Sequence, residues 1–319
     1  MRASVAVEGR HVPELLETFG LGRTGRLSAG PMAEGRVGSI WRLDTEHGSW
    51  AVKPVAGDLR PEGLAALEET TAVQEAALRD GVPTPAVRRT RAGEVVGDLG
   101  GVRVTVLSWV DLLRPDRDLD AVALGRLLAR LHQVEHVGAL GLHPWYSDPV
   151  GAATWRALVD ELRRRRAPFA DEIAALVPEL VGMESLLGRP PRSVRTSHRD
   201  LWADNLRATV DGGLCLIDFD DAGLADPSQE LALILVEFAG DDAARARVIR
   251  EAYAEAGGLG RILGPTDFAM PVAALCHIVE TGCRQWLAAT TDDERADNKG
   301  WVREFLERPL TRDAIERLL

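Results

Sequence analysis

The spacing of hydrophobic residues divides the chain into two regions. Through residue 110, apolar segments of strand length recur, and a turn at Gly48 precedes the returning strand Trp50-Ala51-Val52-Lys53. A helix rich in Ala, Leu and Glu is predicted over 62–80 and ends before Gly81. The order of strand, strand, helix, strand, strand predicts a small antiparallel sheet with one helix packed against it.

Beyond residue 110 the pattern becomes helical. Four leucines fall at i, i+3, i+4 and i+7, which indicates an amphipathic helix: Leu124, Leu127, Leu128 and Leu131. Helices are also predicted over 153–187 and after 227, with short strands and a loop over 194–219. The expected fold is α+β, with an N-terminal lobe over residues 1–110 and a larger, mostly helical C-terminal lobe over 111–319.

Length, charge and cysteine content narrow the class of protein. A chain of 319 residues is longer than a single compact core usually accommodates, and its length fits two lobes. A net charge of −11 argues against a nucleic-acid partner, whose phosphates would be repelled. No apolar run reaches the roughly 18 residues of a membrane helix, so no membrane partner is expected. The sparse cysteines favour a cytoplasmic protein, and a monomer and a homodimer are both left open. Cys215, Cys276 and Cys283 match neither a disulfide framework nor a zinc spacing and are predicted to be buried thiols.

Lysine is rare in this chain. Of 38 basic residues only Lys53 and Lys299 are lysines, and arginine supplies the remaining cations. Lys53 ends an apolar strand, where a solvated surface cation has no obvious purpose. A specific role for its ammonium group is therefore expected.

The most informative segment runs from Thr196 to Asp220. It contains His198-Arg199-Asp200, then Asn205, then a turn, and then an apolar strand that ends in Asp218-Phe219-Asp220. Phosphoryl transfer needs a carboxylate beside the incoming hydroxyl group, and Mg²⁺ prefers oxygen ligands such as carboxylates and amides. An Asp, an Asn five residues later and a strand-terminal Asp supply these groups.

This ordered set resembles the catalytic core of the aminoglycoside phosphotransferase and choline kinase family, small-molecule relatives of protein kinases. The resemblance implies a protein-kinase-like two-lobe fold and transfer of the γ-phosphate of ATP or GTP to a hydroxyl group. It implies that Asp200 is the catalytic base and that Asn205 and Asp218 bind Mg²⁺. Asp220 is a possible additional metal ligand. Arg199 occupies a position where the family has Gly and protein kinases have Arg.

The same resemblance assigns nucleotide contacts in the N-terminal lobe. Lys53 matches the lysine that contacts the α- and β-phosphates, and its helical partner is expected to be Glu75, with Glu68 open as the alternative on the same helix face. The residues expected to cover the phosphates are Gly35, Gly38 and Ser39. The residues expected to pair with the base through their main chain are Ser108, Trp109 and Val110.

The acceptor is predicted from charge. Glu230, Glu237 and Glu280 lie on predicted C-terminal helices, and Trp286 could stack on a ring. Carboxylates grouped there would hold ammonium groups by charge-assisted hydrogen bonds, which predicts a cationic, aminoglycoside-like acceptor.

The same residues bear on three other functions. A kinase for choline, homoserine or a sugar shares every catalytic residue and stays open as the alternative. A non-catalytic nucleotide-binding protein has no support, because the whole catalytic set is present. A protein kinase is disfavoured, because only seven residues separate Asp218 from Asp226 and no Ala-Pro-Glu motif follows.

Overall fold

The computed structural model describes residues 6–34, 39–55, 60–135 and 141–319. These residues form two compact units that alternate along the chain. The first comprises the described residues of Met1–Asp116, Val134–Ala139 and Asp204–Ala222, and the second those of Arg117–Gln133, Leu140–Ala203 and Gly223–Leu319. The hydrophobic pattern predicts one boundary near residue 110, whereas the first unit also includes the later segment 204–222.

The described residues of the first unit form a seven-stranded antiparallel sheet and two helices. The strand order is β1-β3-β4-β7-β5, with β2 also paired to β3 and β6 also paired to β7. The strands are β1 (Gly25–Leu27), β2 (Ala33–Glu34), β3 (Ser39–Thr45), β4 (Gly48–Pro54), β5 (Val87–Arg88), β6 (Gly97–Leu99) and β7 (Val102–Ser108); the helices are α1 (Val12–Phe19) and α2 (Pro61–Arg79). A separate antiparallel hairpin joins Leu206–Ala208 to Leu214–Leu216.

The sheet of the first unit positions Lys53. Val52 pairs with Trp41 across β3 and β4, and both side chains are buried in a core that includes Phe19 of α1. Successive side chains of a strand point to opposite faces, so Lys53 lies on the face of β4 opposite Val52. The alternation of side chains along β4 therefore directs the Lys53 side chain away from the apolar core.

The second unit is mostly helical. Its helices are α3 (Ala121–His132), α4 (Ala152–Arg164), α5 (Ala170–Met183), α6 (Pro227–Phe238), α7 (Ala243–Glu255), α8 (Ala269–Ala288), α9 (Asp292–Glu307) and α10 (Arg312–Leu318). The helix predicted over 153–187 is two helices, because Arg166 takes a positive φ of 56° and Pro168 cannot continue a helix from the preceding turn. None of the helices in the described ranges combines the length and hydropathy that a membrane crossing requires.

One short ladder brings the start of α6 to the predicted catalytic segment. Strand Arg195–Ser197 pairs with Gly223–Ala225, immediately before α6. Asp226 caps α6 by accepting the Ser228 N–H at 2.9 Å, and its other oxygen accepts the Arg192 N–H at 2.8 Å. The carboxylates along α6 therefore lie in the same unit as Asp200.

Close packing of α3 against α7 gives a stability prediction. A Cβ atom added to Gly125 in α3 would lie 2.5 Å from the main-chain oxygen of Ile249 and 2.8 Å from the nitrogen of Tyr253 in α7. We expect Gly125→Ala to destabilise the protein by about 1–3 kcal/mol, the usual range for overpacking, measured as a lower urea midpoint of the helical circular dichroism signal.

Gly300→Ala is the matched control for this change. Gly300 is exposed within α9, and a Cβ there meets no atom within 4 Å. The control should be neutral or stabilising by up to about 1 kcal/mol, because Ala has the higher helix propensity. An unchanged midpoint for Gly125→Ala would show that α3 and α7 can separate without cost.

Candidate active site

Lys53 binds two carboxylates in the first unit. Its Nζ donates to Asp218 Oδ1 at 2.9 Å and to Asp220 Oδ2 at 2.7 Å. The Lys53 side chain is partly buried, whereas those of Asp218 and Asp220 are 39% and 55% exposed. One strand lysine and the Asp-Phe-Asp segment, 165 residues apart in sequence, thus form one charged cluster.

Asp218 owes its position to the hairpin and to its own backbone. The N–H of Ile217 donates to the main-chain oxygen of Asn205 at 2.9 Å, so the residue before Asp218 lies against Asn205. Asp218 itself has φ 62° and ψ 70°, in the left-handed region, and begins the 3₁₀ turn Phe219–Asp221. Asp tolerates this region better than most side chains. The tight turn lets Asp218 and Asp220 reach the same ammonium group.

The two carboxylates determine the charge of Lys53. Burial by itself would lower the pKa of this amine, but the neighbouring charges of Asp220 and Asp218 outweigh burial and raise the pKa above its ordinary value. Lys53 is therefore cationic throughout the physiological range.

The donor set at this cluster fits Mg²⁺. Asp218 and Asp220 already direct oxygens at one cation, and Asn205, one residue before the strand Leu206–Ala208, lies against Ile217 through its main chain. Within the described ranges, no three His, Cys, Asp or Glu side chains lie together as a metal site. These residues therefore do not form a metal site made of carboxylates alone. Mg²⁺ is usually bound by one or two carboxylates, with amide, water and phosphate oxygens as its other ligands.

The predicted pair between Lys53 and Glu75 is wrong in this structure. Glu75 accepts two hydrogen bonds from Arg89, at 2.7 and 3.1 Å, and the alternative partner Glu68 accepts a third from the same guanidinium at 2.9 Å. Arginine presents a planar fork that binds a carboxylate through two N–H groups, which a lysine cannot do. Both helical glutamates are therefore engaged by Arg89, while Lys53 binds Asp218 and Asp220.

The residues expected to pair with a nucleotide base are partly engaged. Ser108 donates its N–H to Ala86 O at 2.8 Å, and Trp109 donates its N–H to Ser49 O at 2.9 Å. These two donors are used inside the unit, and the pairing of a base with the main chain of Ser108, Trp109 and Val110 stays a prediction. Val110 is left as the candidate donor of that segment. Ser39 begins β3, and Gly35 and Gly38 lie outside the described residues.

Asp200 lies in the second unit, on a loop with an unusual backbone. Arg199, immediately before it, has a positive φ of 70°. Such conformations are strained for a residue with a long side chain and persist only when the surroundings impose them. The Arg199 guanidinium donates to Gly141 O at 3.0 Å and lies 5.5 Å from the centre of the Tyr146 ring. The N–H of Asp200 donates to Nδ1 of His198.

Glu230 is not placed to bind an acceptor. It is fully buried, accepts the main-chain N–H of Arg199 and lies 2.7 Å from Nε2 of His132. Burial by itself would raise the pKa of Glu230, but hydrogen bonds from His132 and Arg199 lower it overall. A buried carboxylate with these donors supports the loop that carries Asp200.

The other residues predicted to bind the acceptor have different surroundings. Glu237 is 9% exposed and binds Arg117 and the N–H of Ala203. Glu280 pairs with Arg284 one helical turn later. Trp286 is half-buried, with its ring edge-on to Phe169 at 5.5 Å. The two α6 glutamates are thus structural, while Glu280 and Trp286 keep some exposed surface.

Several supporting residues escaped the sequence analysis. His132 is buried between Glu230 and the hydroxyl group of Tyr253, which lies 2.7 Å from its Nδ1. Tyr253 in turn accepts the N–H of Gly260 at 2.7 Å. Burial raises the pKa of Tyr253 to about 12, so its hydroxyl group keeps its proton and can donate to His132. Neither spacing nor composition marks these residues, because their partners are distant in sequence. The three cysteines, in contrast, are buried and free, as predicted.

Comparison with known proteins identifies the family. Residues 30–268 match the model of the phosphotransferase enzyme family. A search of curated proteins finds no match.

Solved structures share the fold along the whole chain. A spectinomycin phosphotransferase in complex with ADP and spectinomycin is 14% identical, with 98% of each chain covered and a TM-score of 0.71. A microcompartment-associated aminopropanol kinase is 18% identical, covering 97% of this chain and 99% of that chain, with a TM-score of 0.60. A choline/ethanolamine kinase family protein from Mesorhizobium loti is 15% identical, covering 91% and 92%, with a TM-score of 0.53. With this α+β, protein-kinase-like fold and a family match over most of its length, the chain belongs to the phosphotransferase enzyme family.

Proposed function

We propose that this protein transfers the γ-phosphate of ATP or GTP to a hydroxyl group of a small molecule. The observation that carries the proposal is the cluster in which Lys53 Nζ lies 2.9 Å from Asp218 and 2.7 Å from Asp220. A cation and two carboxylates at one point form a site for a metal-bound polyphosphate. The ADP and AMP named in two spectinomycin phosphotransferase structures support a nucleotide donor.

The phosphate end of the nucleotide is assigned to the first unit. Asn205, Asp218 and Asp220 would hold Mg²⁺, and Lys53 would contact phosphate oxygens. When bound, Mg²⁺ neutralises charge on the phosphate oxygens. Lys53 is already cationic and held beside these carboxylates, so phosphate binding exchanges some of its contacts without a change of protonation. The main-chain N–H of Val110 is the proposed donor to the base.

Asp200 is the proposed base. Its carboxylate would accept the proton of the incoming hydroxyl group and orient the oxygen for attack on the γ-phosphorus. The hydrogen bond from the Arg199 N–H to buried Glu230 supports this role, because it fixes the main chain next to Asp200. A positioned base contributes more than a mobile one, since catalysis depends on the alignment of the reacting atoms.

The acceptor is proposed to be a hydroxyl-bearing cation. Burial of Glu230 and Glu237 removes two of the carboxylates that motivate this choice, and Glu280 shares its charge with Arg284. Asp292 and Asp293 at the start of α9 stay exposed. Aminopropanol and ethanolamine, in the names of two similar structures, are amino alcohols and support a small cationic acceptor as well as an antibiotic.

A metabolite kinase is the second candidate. This chain matches 99% of the aminopropanol kinase and 98% of the spectinomycin phosphotransferase. The two structures therefore favour a metabolite kinase and an antibiotic-modifying enzyme equally. Both functions use the same catalytic residues, so only the acceptor separates them. A non-catalytic nucleotide-binding protein would bind nucleotide without consuming it with any acceptor.

The role of Asp200 is tested by Asp200→Asn. The amide cannot accept the hydroxyl proton, so we expect kcat to fall by about 10²–10⁴-fold while nucleotide affinity stays within about threefold of wild type. Asp204→Asn is the matched control, because Asp204 is exposed on the same segment and should retain turnover. Wild-type turnover by Asp200→Asn would rule out this mechanism.

The metal site is tested by Asp218→Asn. Loss of one carboxylate should weaken Mg²⁺-dependent nucleotide binding by at least about tenfold, since even partners beyond the metal ligands typically contribute 10–100-fold. The measurement is a nucleotide titration with and without Mg²⁺. Asp211→Asn, in the exposed turn of the same hairpin, is the control and should bind like wild type. If both variants bound nucleotide equally well, Asp218 would not be a ligand.

The charge of the acceptor is tested by a nucleotide-consumption screen. The panel should include spectinomycin, ethanolamine and aminopropanol, with propanediol and a neutral sugar as uncharged controls. We expect the amines to be phosphorylated and their KM to rise with salt, because exposed charge attraction is screened over about 8–10 Å at physiological ionic strength. Turnover of neutral or anionic alcohols alone would refute a cationic acceptor and leave phosphotransfer intact.

A further inference from the structure

Glu237 connects three segments of the second unit through one carboxylate oxygen. Its Oε1 accepts the main-chain N–H of Ala203 at 3.1 Å and the Nε–H of Arg117 at 3.0 Å. The side chain is 9% exposed and lies in the last turn of α6. Ala203 follows Asp200 by three residues. The carboxylate therefore holds the main chain on the C-terminal side of Asp200.

Glu230 binds the main chain on the N-terminal side of Asp200. It accepts the N–H of Arg199, which precedes Asp200. Glu230 and Glu237 are seven residues apart on α6, so they lie on the same helix face about 10 Å apart along its axis. One rigid helix thus binds the main chain on both sides of Asp200.

The surroundings of Glu237 restrict its movement. Arg117 donates to Glu237, and its own main-chain oxygen accepts from Arg245 of α7 at 3.2 Å. Burial by itself would lower the pKa of Arg117, but the charges of Glu237 and Glu304 and the hydrogen bonds to them together raise it. Removing one partner of a buried ion pair is costly, so Glu237 and Arg117 hold each other in place. The position of Glu237 is therefore fixed by α6 and by the segment around Arg117, which is itself bound by Arg245 of α7.

We propose that Glu237 is a positioning residue for catalysis, which keeps Asp200 aligned by binding the N–H of Ala203. This inference rests on the proposed role of Asp200. Glu237 is buried and acts through the main chain of the loop. Because a displacement of about 1 Å at a reacting group can cost about 100-fold in rate, loss of this hydrogen bond should lower kcat more than it changes KM.

Two substitutions separate the hydrogen bond from the bulk of the side chain. Glu237→Gln keeps an oxygen that can accept from Ala203 and Arg117, whereas Glu237→Met has a similar length and no such acceptor. We expect kcat to fall by about 10–100-fold in Glu237→Met and by less than about fivefold in Glu237→Gln. The KM for nucleotide should stay within about threefold in both. Glu304→Gln, which removes the charge of the exposed partner of Arg117 at 3.4 Å, is the control and should retain kcat.

Amide hydrogen exchange tests the tether without relying on turnover. Peptides that contain Ala203 should exchange faster in Glu237→Met than in wild type, Glu237→Gln or Asp200→Asn, while peptides from the β3–β4 hairpin should be unchanged. If Glu237→Met fails to fold, Glu237→Asp serves instead, because it keeps the charge and withdraws the acceptor by one methylene; it should show an intermediate loss of kcat and of protection.

The outcomes distinguish this inference from the proposed function. Wild-type kcat in a folded Glu237→Met, together with an inactive Asp200→Asn, would overturn the positioning role and leave the base intact. Equal losses of kcat in Glu237→Met and Glu237→Gln, with unchanged exchange at Ala203, would also overturn it. Wild-type turnover by Asp200→Asn would instead reject the proposed role of Asp200, and the exchange result would still report whether Glu237 holds the loop.

Discussion

Charged groups withdrawn from water need partners: buried carboxylates need cations or N–H donors, and the partly buried ammonium group of Lys53 needs carboxylates. This requirement shapes both units of the protein. A buried charge without a partner is costly, so each such group fixes the elements that supply its donors. In the second unit, Glu230 and Glu237 take main-chain N–H groups from the loop of Asp200. In the first unit, Asp218 and Asp220 share the ammonium group of Lys53. The charged residues that looked like a binding surface in the sequence are therefore partly the framework of the site.

The choice between arginine and lysine has a structural consequence here. Arg89 binds Glu75 through two hydrogen bonds and Glu68 through a third, which uses the fork geometry of a guanidinium. Lys53 is a compact point charge with three donors and binds two separate carboxylates. The expectation of a lysine–glutamate pair fails because a better-matched cation is available to both glutamates. The single lysine of β4 is left for the Asp-Phe-Asp segment.

Phosphotransfer and recognition of the acceptor place different physical requirements on the protein. Phosphotransfer requires a fixed arrangement of oxygens and cations, which families conserve as an ordered motif. Recognition of the acceptor requires only a few convergent polar groups, which no ordered motif specifies. Similar folds at 14–18% identity carry names that include spectinomycin and aminopropanol. The fold and family therefore identify the reaction class, whereas neither of them fixes the acceptor.

By itself, the sequence determined the family, the α+β class and the buried cysteines, because these depend on local periodicity and on an ordered motif. The β3–β4 hairpin and the helix over 62–80 follow from the same local patterns. Tertiary structure decided the partners of charged groups: Glu75 with Arg89, Lys53 with Asp218, and Glu237 with Ala203. Such pairs join residues 14, 165 and 34 positions apart. Burial and geometry select among many possible partners, and neither is encoded in the spacing of residues along the chain.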